Sequence, residues 1–387
     1  MNITRPVTQP IALLGGLSPQ AFMQRHWQKK PLLIRNAIVN FKPLLSREEL
    51  FALAGQEGVE SRLVQNKRSK TGDGKWVLSS GPDHKLPPLS RKEWTLLVQG
   101  VDLHLDAVHG LLQQFRFVPD ARLDDLMISY ASEGGGVGPH FDSYDVFLLQ
   151  AQGRRRWKIG PQKDLTLVDG APLKILQNFA PKEEFVLEPG DMLYLPPRYA
   201  HDGVAEGGEC MTYSIGFRAP SAGELARELL ARLADEIDQP QLYADGQQAA
   251  TATPAVVPQA LAEFASAAVA KALKDKDLMR QLLGELLTEP KPGVWFEPGK
   301  PPRSWRKVQA LRLDRKSRMM LDGPFVFLNG ESWRMAGADA KLLRKLANQH
   351  ELNASLLIAN NDLNTPACGD LSSYLSDWIA HGWLHAD

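Results

Sequence analysis

Residues 125–218 read as a series of short strands, and this block constrains the fold more than any other part of the sequence. Its apolar segments are DLMISYA, DVFLLQA, RRRWKIG, EFVLEPG, DMLYLPP and CMTYSIGF, with Gly and Pro residues between them. Many short strands separated by turn residues are typical of antiparallel sandwiches and barrels. The block therefore predicts an antiparallel sandwich or barrel.

Helical patterns precede this block. Ser18 is followed by a Pro at the first helical position, and Ser46 and Glu49 form a capping box, so a helix is predicted after each serine. A short apolar strand, PLLIRNAI, separates the two helices. Residues 62–88 are polar and Gly-rich with one strand-like stretch, WVLSS, and residues 91–115 are predicted to be helical.

The region after the block changes character several times. A strong helix is predicted from Ser221, and residues 258–288 are helical again. The segment 237–255 is rich in Gln, Ala, Thr and Pro, and 289–302 is rich in Pro, so both are predicted to be surface connections. Residues 303–387 carry a hairpin-like pair with an Asn-Gly turn, followed by helices, which fits a small α+β module.

Length and charge set the broad class of the protein. A chain of 387 residues should hold two or three domains. We predict them at 1–220, 221–288 and 289–387. Lys plus Arg and Asp plus Glu both number 45, a balance that demands neither a nucleic-acid nor a membrane partner.

The cysteines and the hydropathy pattern indicate a cytoplasmic protein. Cys210 and Cys368 match no zinc or redox spacing and form no visible disulfide framework, which favours a reducing compartment. The N-terminal apolar run, Ile11 to Leu14, is too short for a signal peptide or a span. No later segment approaches the roughly 20 apolar residues that a membrane helix needs.

Three residues of the strand block have the chemistry of a metal site. His140 and Asp142 form a His-x-Asp pair, and on a strand residues i and i+2 point to the same face. His201 follows the turn at 188–191, predicted to be a hairpin turn, and the Pro-Pro pair that ends the next strand. Two imidazoles and one carboxylate leave one face of an octahedral metal open, as in non-haem Fe(II) oxygenases.

Alternatives to this ligand set remain open at this level. A lone His-x-Asp occurs by chance in many proteins, and Asp145 competes with Asp142 although it is out of strand phase with His140. His381 and His385 have helical i,i+4 spacing, but a terminal pair without a third ligand is more often ordinary surface.

The segment RRRWKI, residues 154–159, predicts a buried cation. The even-numbered residues are all basic and share one strand face, whereas Arg155 shares the other with Trp157 and Ile159. A buried guanidinium needs an anion, and a dicarboxylate cosubstrate would supply one. The alternative is an internal salt bridge to Asp or Glu. Ser129, in DLMISYA, is a candidate hydroxyl donor to the same carboxylate.

Long stretches of the sequence resemble the bacterial JmjC-type ribosomal oxygenases. They are FMQRHWQKKPLLIRNA, DDLMISYASEGGGVGPHFDSYDVFLLQAQGRRRWKIG, LEPGDMLYLPPRYAHDG and YSIGFRAP, and together they place the resemblance over residues 1–230. It implies a mixed α and β fold, a double-stranded β-helix (the cupin or JmjC jelly roll) with N-terminal helices. It also implies a helical dimerisation segment and a C-terminal winged-helix-like module.

The same resemblance implies a dioxygenase that depends on Fe(II), 2-oxoglutarate and O₂ and acts in the cytoplasm as a homodimer. Bacterial members hydroxylate an arginine at C-β on the large-subunit ribosomal protein numbered sixteen. Carried over by motif, His140, Asp142 and His201 would ligate iron, Arg155 would bind the distal carboxylate of 2-oxoglutarate, and Ser129 would assist it. Asp145 and Asp202 are further candidates, as groups that hold a cationic target.

Two other functions are compatible with the sequence. One is histidine hydroxylation or lysine demethylation on another protein. The other is a non-catalytic adaptor that binds ribosomes or nucleic acid through the basic residues Arg303, Arg306, Lys307, Arg312, Arg315, Lys316 and Arg318. Acidic residues in the module largely offset this cluster and the triad is intact, so a nucleic-acid partner is not expected.

Overall fold

The computed structural model describes residues 6–68, 74–82, 85–353, 355–356 and 369–387. The chain divides into two compact units, Met1–Ala219 and Pro220–Asp387. Within the described ranges no helix has the length and apolar character needed to cross a membrane. Cys368, named above, lies outside the described residues.

The first unit carries three short helices, of which the first two begin after Ser18 and Ser46 as predicted. They are α1 (Pro19–Arg25), α2 (Arg47–Ala54) and α3 (Asp106–Leu112), with 3₁₀ turns at Ala12–Leu14, Val101–Leu103 and Gln113–Phe115. Ser18 Oγ accepts the N–H of Ala21 at 3.1 Å, and Ser46 and Glu49 form the reciprocal capping box. Both caps satisfy backbone donors that a helix start leaves free.

The rest of the first unit is one antiparallel sheet of nine strands. They are β1 (Leu32–Ile34), β2 (Ser61–Arg68), β3 (Gly74–Ser80), β4 (Trp94–Val98), β5 (Leu123–Ala131), β6 (Val146–Gly160), β7 (Glu183–Leu187), β8 (Met192–Leu195) and β9 (Ala200–Phe217). The order is β1-β8-β6-β9-β5-β4-β2-β3, and β7 also pairs with β6. The antiparallel pairing predicted for the strand block is confirmed.

The helix predicted over residues 91–115 is wrong in its first half. Residues Trp94–Val98 form β4, which pairs with β2 and β5, and only the later part holds α3. All five residues of β4 are buried. A short strand buried on both faces shows no alternation, so periodicity cannot separate it from a helix.

The turn at residues 188–191 is not a hairpin turn as predicted. β7 pairs with residues 155–159 of β6, and β8 pairs with residues 146–149. Both strands therefore lie along the same edge of β6 and run in the same direction. The turn is a break between two collinear strands, opposite an irregular stretch in the middle of β6.

Both faces of this sheet carry buried apolar side chains. The outer face packs against the N-terminal helices in a large cluster that includes Phe22, Trp94, Phe147 and Tyr213. The inner face holds a smaller cluster formed by Val146, Leu148, Trp157, Ile159, Leu187, Leu193 and Leu195. The face to which a residue points decides whether it can reach the site.

The second unit is mixed. Its helices are α4 (Ala222–Asp235), α5 (Gln259–Ala272), α6 (Lys276–Thr288), α7 (Gly337–Gln349) and α8 (Gly369–Ala380), with a 3₁₀ turn at Trp305–Lys307. Its strands are β10 (Ala310–Leu313), β11 (Met319–Asp322), β12 (Phe325–Leu328), β13 (Glu331–Arg334), β14 (Glu351–Asn353) and β15 (Leu384–Ala386), in two three-stranded sheets. Asn329 and Gly330, with φ of 51° and 90°, make the predicted turn, here between β12 and β13.

Candidate metal centre

Backbone hydrogen bonds bring the two histidines of the predicted triad together. The N–H of His140 donates to the carbonyl of His201 at 2.9 Å, and the N–H of His201 donates back at 2.8 Å. His201 is the second residue of β9. His140 and Asp142 were predicted on a strand, but they lie in the connection between β5 and β6, where His140 forms this single bridge.

Asp142 is tied to the same place by a third backbone bond. Arg198 N–H donates to the carbonyl of Asp142 at 2.7 Å. Arg198 has a left-handed backbone, with φ of 63°, and its guanidinium lies 5.9 Å from the ring centroid of Phe141. A non-glycine residue at positive φ costs free energy and persists only where its surroundings impose it. The turn before β9 therefore holds the Asp142 segment through the main chain.

The three side chains converge as a compact ligand set. Each offers one ligand atom, and these atoms all lie within 4.8 Å of one another. Asp142 Oδ2 lies 3.5 Å from His201 Nε2, and the two imidazole centroids are 4.2 Å apart. Among the described His, Cys, Asp and Glu side chains, these three residues bring three ligand atoms this close together. Imidazole and carboxylate donors suit a divalent transition metal.

Backbone carbonyls fix the tautomer of both imidazoles. His140 Nδ1 lies 2.8 Å from the carbonyl of Gly138, and His201 Nδ1 lies 2.9 Å from that of Tyr199. A carbonyl only accepts, so each Nδ1 carries a proton, and in the neutral imidazole Nε2 is then the nitrogen with the free lone pair. Such outer hydrogen bonds orient metal-binding histidines.

Burial keeps His201 neutral at physiological pH. It lowers the pKa of the imidazole to about 4, the nearby His140 lowers it too, and Asp142 opposes both. A histidine must be neutral to ligate a metal. His201 therefore meets this requirement without giving up a proton at pH 7.

Arg155 is buried on the inner face, as strand parity predicted. It is 6 % exposed, and its Nε and Nη2 have no hydrogen-bond partner within the described part of the chain. The predicted alternative, an internal salt bridge, does not form with any described carboxylate. A buried guanidinium without an anion is costly, so the position calls for an anionic ligand.

Trp157 lines the inner face between the guanidinium and the metal ligands. Arg155 Cζ lies 5.6 Å from the Trp157 ring centroid, and that ring lies 5.8 Å from the His201 ring. Gly203 pairs with Trp157 across β6 and β9, and a Cβ there would lie 2.6 Å from the indole. The sequence placed Trp157 on this face but gave no sign of its position between the two groups.

The hydroxyl of Ser129 is already used within the sheet. Ser129 is buried on β5, opposite Thr212 of β9, and its Oγ donates to the carbonyl of Thr212 at 3.3 Å. The hydroxyl oxygen can still accept a hydrogen bond. Assistance to Arg155 therefore stays a prediction.

Asp145 is a structural anchor. It is fully buried, accepts the hydroxyl of Tyr194 at 2.6 Å and the amide of Gln28 at 3.1 Å, and lies 3.4 Å from Arg122. These bonds occupy the carboxylate, so it competes neither for the metal nor for a cationic target. Asp202 is half-buried beside His201, and burial raises the pKa of its carboxyl.

The two C-terminal histidines make separate local contacts. His385 Nε2 lies 2.9 Å from Asp314 Oδ2, and His381 Nδ1 lies 2.7 Å from the carbonyl of Asp377. Neither histidine belongs to the ligand group formed by His140, Asp142 and His201.

Family comparisons match both units. A JmjC domain matches residues 110–225, and a ROXA-like winged helix matches residues 271–385. An AraC-like ligand binding domain matches residues 176–283. The fold is accordingly a mixed α and β JmjC/cupin jelly roll with a C-terminal winged-helix domain, as predicted.

Two bacterial proteins are similar over much of the chain. The ribosomal protein uL16 3-hydroxylase of Escherichia coli is 38% identical over 289 residues, which are 73% of this chain and 74% of that protein. A probable ribosomal oxygenase of Haemophilus influenzae is 37% identical over 218 residues, 54% of this chain and 52% of that protein.

Solved structures of YcfD match this chain over nearly its whole length. The X-ray structure of E. coli YcfD matches with a TM-score of 0.81 and 31% identity, and covers 95% of this chain and 97% of that one. The structure of YcfD in complex with cobalt and 2-oxoglutarate matches with a TM-score of 0.79 and 31% identity over 96% and 98% of the two chains. With the triad geometry, these matches show that the chain belongs to the JmjC-type ribosomal oxygenase family.

Proposed function

We propose that this chain is an Fe(II)- and 2-oxoglutarate-dependent protein hydroxylase that acts on an arginine side chain, at C-β, of ribosomal protein uL16. The observation that carries the proposal is the convergent triad with an unpaired, buried guanidinium on the same inner face. The name of one relative, a uL16 3-hydroxylase, supports the substrate, and the solved complex of YcfD with cobalt and 2-oxoglutarate supports the cofactors.

Three side chains would hold the iron. They are His140 and His201 through Nε2, and Asp142 through its carboxylate. When bound, the iron supplies O₂ activation coupled to oxidation of 2-oxoglutarate to succinate and CO₂, and one oxygen atom enters a C–H bond of the target. The protein contributes a neutral His201, imidazoles oriented by backbone carbonyls and a backbone that keeps the three ligands together.

Arg155 would bind the distal carboxylate of 2-oxoglutarate, and Ser129 would assist it. The guanidinium has free donors at Nε and Nη2, and a carboxylate accepts two parallel N–H bonds from such a fork. The indole of Trp157 lies 5.6 Å from the Arg155 guanidinium and 5.8 Å from the His201 ring, and so adds an apolar wall beside both. Asp202 stays our candidate for holding a cationic target near the site.

Relatives with other activities define the alternative. A Drosophila persimilis protein named bifunctional lysine-specific demethylase and histidyl-hydroxylase is 25% identical over 50% of this chain. Histidine hydroxylation or lysine demethylation therefore stays a second candidate. A non-catalytic adaptor is disfavoured, because it gives no reason to keep a convergent triad with a neutral His201 and a buried cation.

Mass spectrometry of the product tests the activity. Purified protein with Fe(II), 2-oxoglutarate, ascorbate and purified uL16 should give a product heavier by about 16 Da, one oxygen atom, located at an arginine by fragmentation. The matched control is Asp142→Ala, which removes one ligand and should abolish the product. An iron-loaded protein that leaves uL16 unchanged, or that modifies histidine or lysine instead, would contradict the proposed substrate.

We also propose that the chain acts as a homodimer in the cytoplasm. α5 contains no buried residue among those described, although its sequence is rich in Ala and includes Leu261 and Val269. Large apolar side chains are exposed along it and at both of its ends: Val256, Val257, Leu261, Val269 and Leu273. An extended apolar surface on one chain favours a protein partner, and a second copy fits the symmetry of most oligomers.

A further inference from the structure

β6 changes phase halfway along its length. Val146 and Leu148, both even-numbered, lie in the inner-face cluster, and so do Trp157 and Ile159, both odd-numbered. Side chains of a regular strand alternate between faces, so one extra residue must lie between the two halves. Without it, Arg155 would point to the outer face together with Leu149.

The extra residue belongs to a β-bulge at Ala151 and Gln152. The register between β6 and β9 shifts between Gln150 and Gln152 and again before Arg154. Ala151 belongs to the outer-face cluster, and Gln152 pairs with Met211 of that cluster. Two successive residues therefore share the outer face, which reverses the phase of the residues that follow.

The side chain of Gln150 holds this bulge. Gln150 is fully buried, and its Nε2 donates to the carbonyl of Gln152 at 2.8 Å, with the carbonyl of Gly153 at 3.3 Å. Thr212 Oγ1 donates to Gln150 Oε1 at 3.0 Å, which fixes the direction of the amide. A bulge takes carbonyls out of the ladder, and a buried carbonyl then needs another donor.

Gly153 allows the strand to resume beyond the bulge. Its φ is 66°, and a Cβ at this position would overlap the carbonyl oxygen of Glu209 on the neighbouring strand. The next inner-face residue is Arg155, whose guanidinium is buried there without an anion. The bulge, its amide clamp and this glycine together place the guanidinium on the inner face.

We infer that Gln150 is a positioning residue for the cosubstrate, which acts by holding the bulge that directs Arg155 to the inner face. The inference rests on the proposed function, in which Arg155 binds the distal carboxylate of 2-oxoglutarate. The Gln150 amide is bonded to the main chain of its own strand and to Thr212. Loss of this amide should therefore weaken the binding of ligands that carry a distal carboxylate and leave the binding of ligands without one unchanged.

Calorimetric titration of the Mn(II)-loaded protein tests this without turnover. Gln150→Leu should lower the affinity for 2-oxoglutarate by about tenfold, the equivalent of one charge-assisted hydrogen bond. It should leave the affinity for 2-oxovalerate, which lacks the distal carboxylate, unchanged. In an Arg155→Met background, Gln150→Leu should weaken 2-oxoglutarate no further. Equal losses for both acids, or an additive effect in the double variant, would overturn the inference.

Thr212 offers a milder variant if Gln150→Leu does not fold. Thr212→Val removes the hydroxyl that orients the Gln150 amide and should weaken 2-oxoglutarate, whereas Thr212→Ser keeps the hydroxyl and should bind it more tightly than Thr212→Val. If Arg155→Met binds 2-oxoglutarate as tightly as the unmodified protein, the proposed function fails. If Arg155→Met loses binding and neither Gln150→Leu nor Thr212→Val does, only the role of Gln150 fails.

Discussion

The two imidazoles of the site are oriented as metal ligands before a metal binds. Carbonyls of Gly138 and Tyr199 hold the protons on Nδ1, and burial keeps His201 neutral. Reciprocal backbone bonds between His140 and His201 hold the main chains of the two ligands side by side. The site therefore loses little free energy to reorganisation on binding, because its geometry is set by the main chain.

Arg155 should reduce stability in the ligand-free protein, because Nε and Nη2 of its buried guanidinium have no hydrogen-bond partner among the described residues. We expect Arg155→Met to raise the free energy of unfolding by about 1–4 kcal/mol, as replacements of buried ionic groups by apolar residues can do. The same variant should keep Mn(II) affinity and lose 2-oxoglutarate affinity. Urea denaturation and calorimetric titration measure the two effects. A destabilised variant would mean that the guanidinium has a protein partner.

The absence of a side chain at Gly203 makes space for the indole of Trp157. Gly203→Ala places a Cβ 2.6 Å from the ring, so we expect a loss of about 1–3 kcal/mol in the free energy of unfolding, from overpacking. Gly110→Ala is the matched control, because it adds a Cβ on α3 with no atom within 4 Å. It should stabilise the protein by about 0.5–1 kcal/mol. Equal effects would refute the packing argument.

At the scale of elements, the connection that carries His140 and Asp142 is anchored at its far end by Asp145. Tyr194 of β8 donates to Asp145 at 2.6 Å and accepts the N–H of Gln28 at 2.8 Å. One hydroxyl thus joins the connection, a strand and the turn after α1. This network explains why a carboxylate so close to the metal ligands is not itself one of them.

Tyr194→Phe tests this anchor. It removes a donor from a buried carboxylate, so we expect a loss of about 1.5–3 kcal/mol in the free energy of unfolding. Tyr213→Phe is the control, since the Tyr213 hydroxyl accepts only a neutral bond, from Leu44 N–H at 2.8 Å, and should cost about 1 kcal/mol. Urea denaturation of both variants gives the comparison. A smaller loss at Tyr194 than at Tyr213 would contradict the anchor.

Local signals predicted most elements, and long-range pairing explains the failures. Ser46 with Glu49 and Asn329 with Gly330 were readable because capping and turn chemistry lie within a few residues. β4 was missed because burial on both faces removes its alternation. Strand parity within residues 154–159 predicted that Arg155 shares a face with Trp157 and Ile159. The bulge that turns this face inward depends on pairing with β9, which no local sequence pattern encodes.

The site itself followed from residue types more than from predicted geometry. His140 and Asp142 were expected on one strand, yet a single bridge and a backbone bond from Arg198 bring them to His201. The structure brings the three predicted side chains together although the predicted element was wrong, because several backbones can present the same three residues. The carbonyls that fix the tautomers left no sequence signal, since every residue has one.

At the scale of the whole molecule, we expect the apolar surface of α5 to support self-association. Val269, 60% exposed, is a suitable probe, and Val269→Glu should convert a dimer into a monomer of 42.9 kDa. Glu263→Lys, about 120° around the helix, is the control and should leave the mass unchanged. Multi-angle light scattering measures both. A monomeric unmodified protein would contradict the proposed dimer.

The most direct test of the central claim is a crystal structure with Mn(II) and N-oxalylglycine, a 2-oxoglutarate analogue that does not turn over. We expect the metal to be bound by His140 Nε2, His201 Nε2 and the Asp142 carboxylate. The distal carboxylate of the analogue should be paired with Arg155. A metal bound elsewhere, or an analogue whose distal carboxylate does not meet Arg155, would contradict the account.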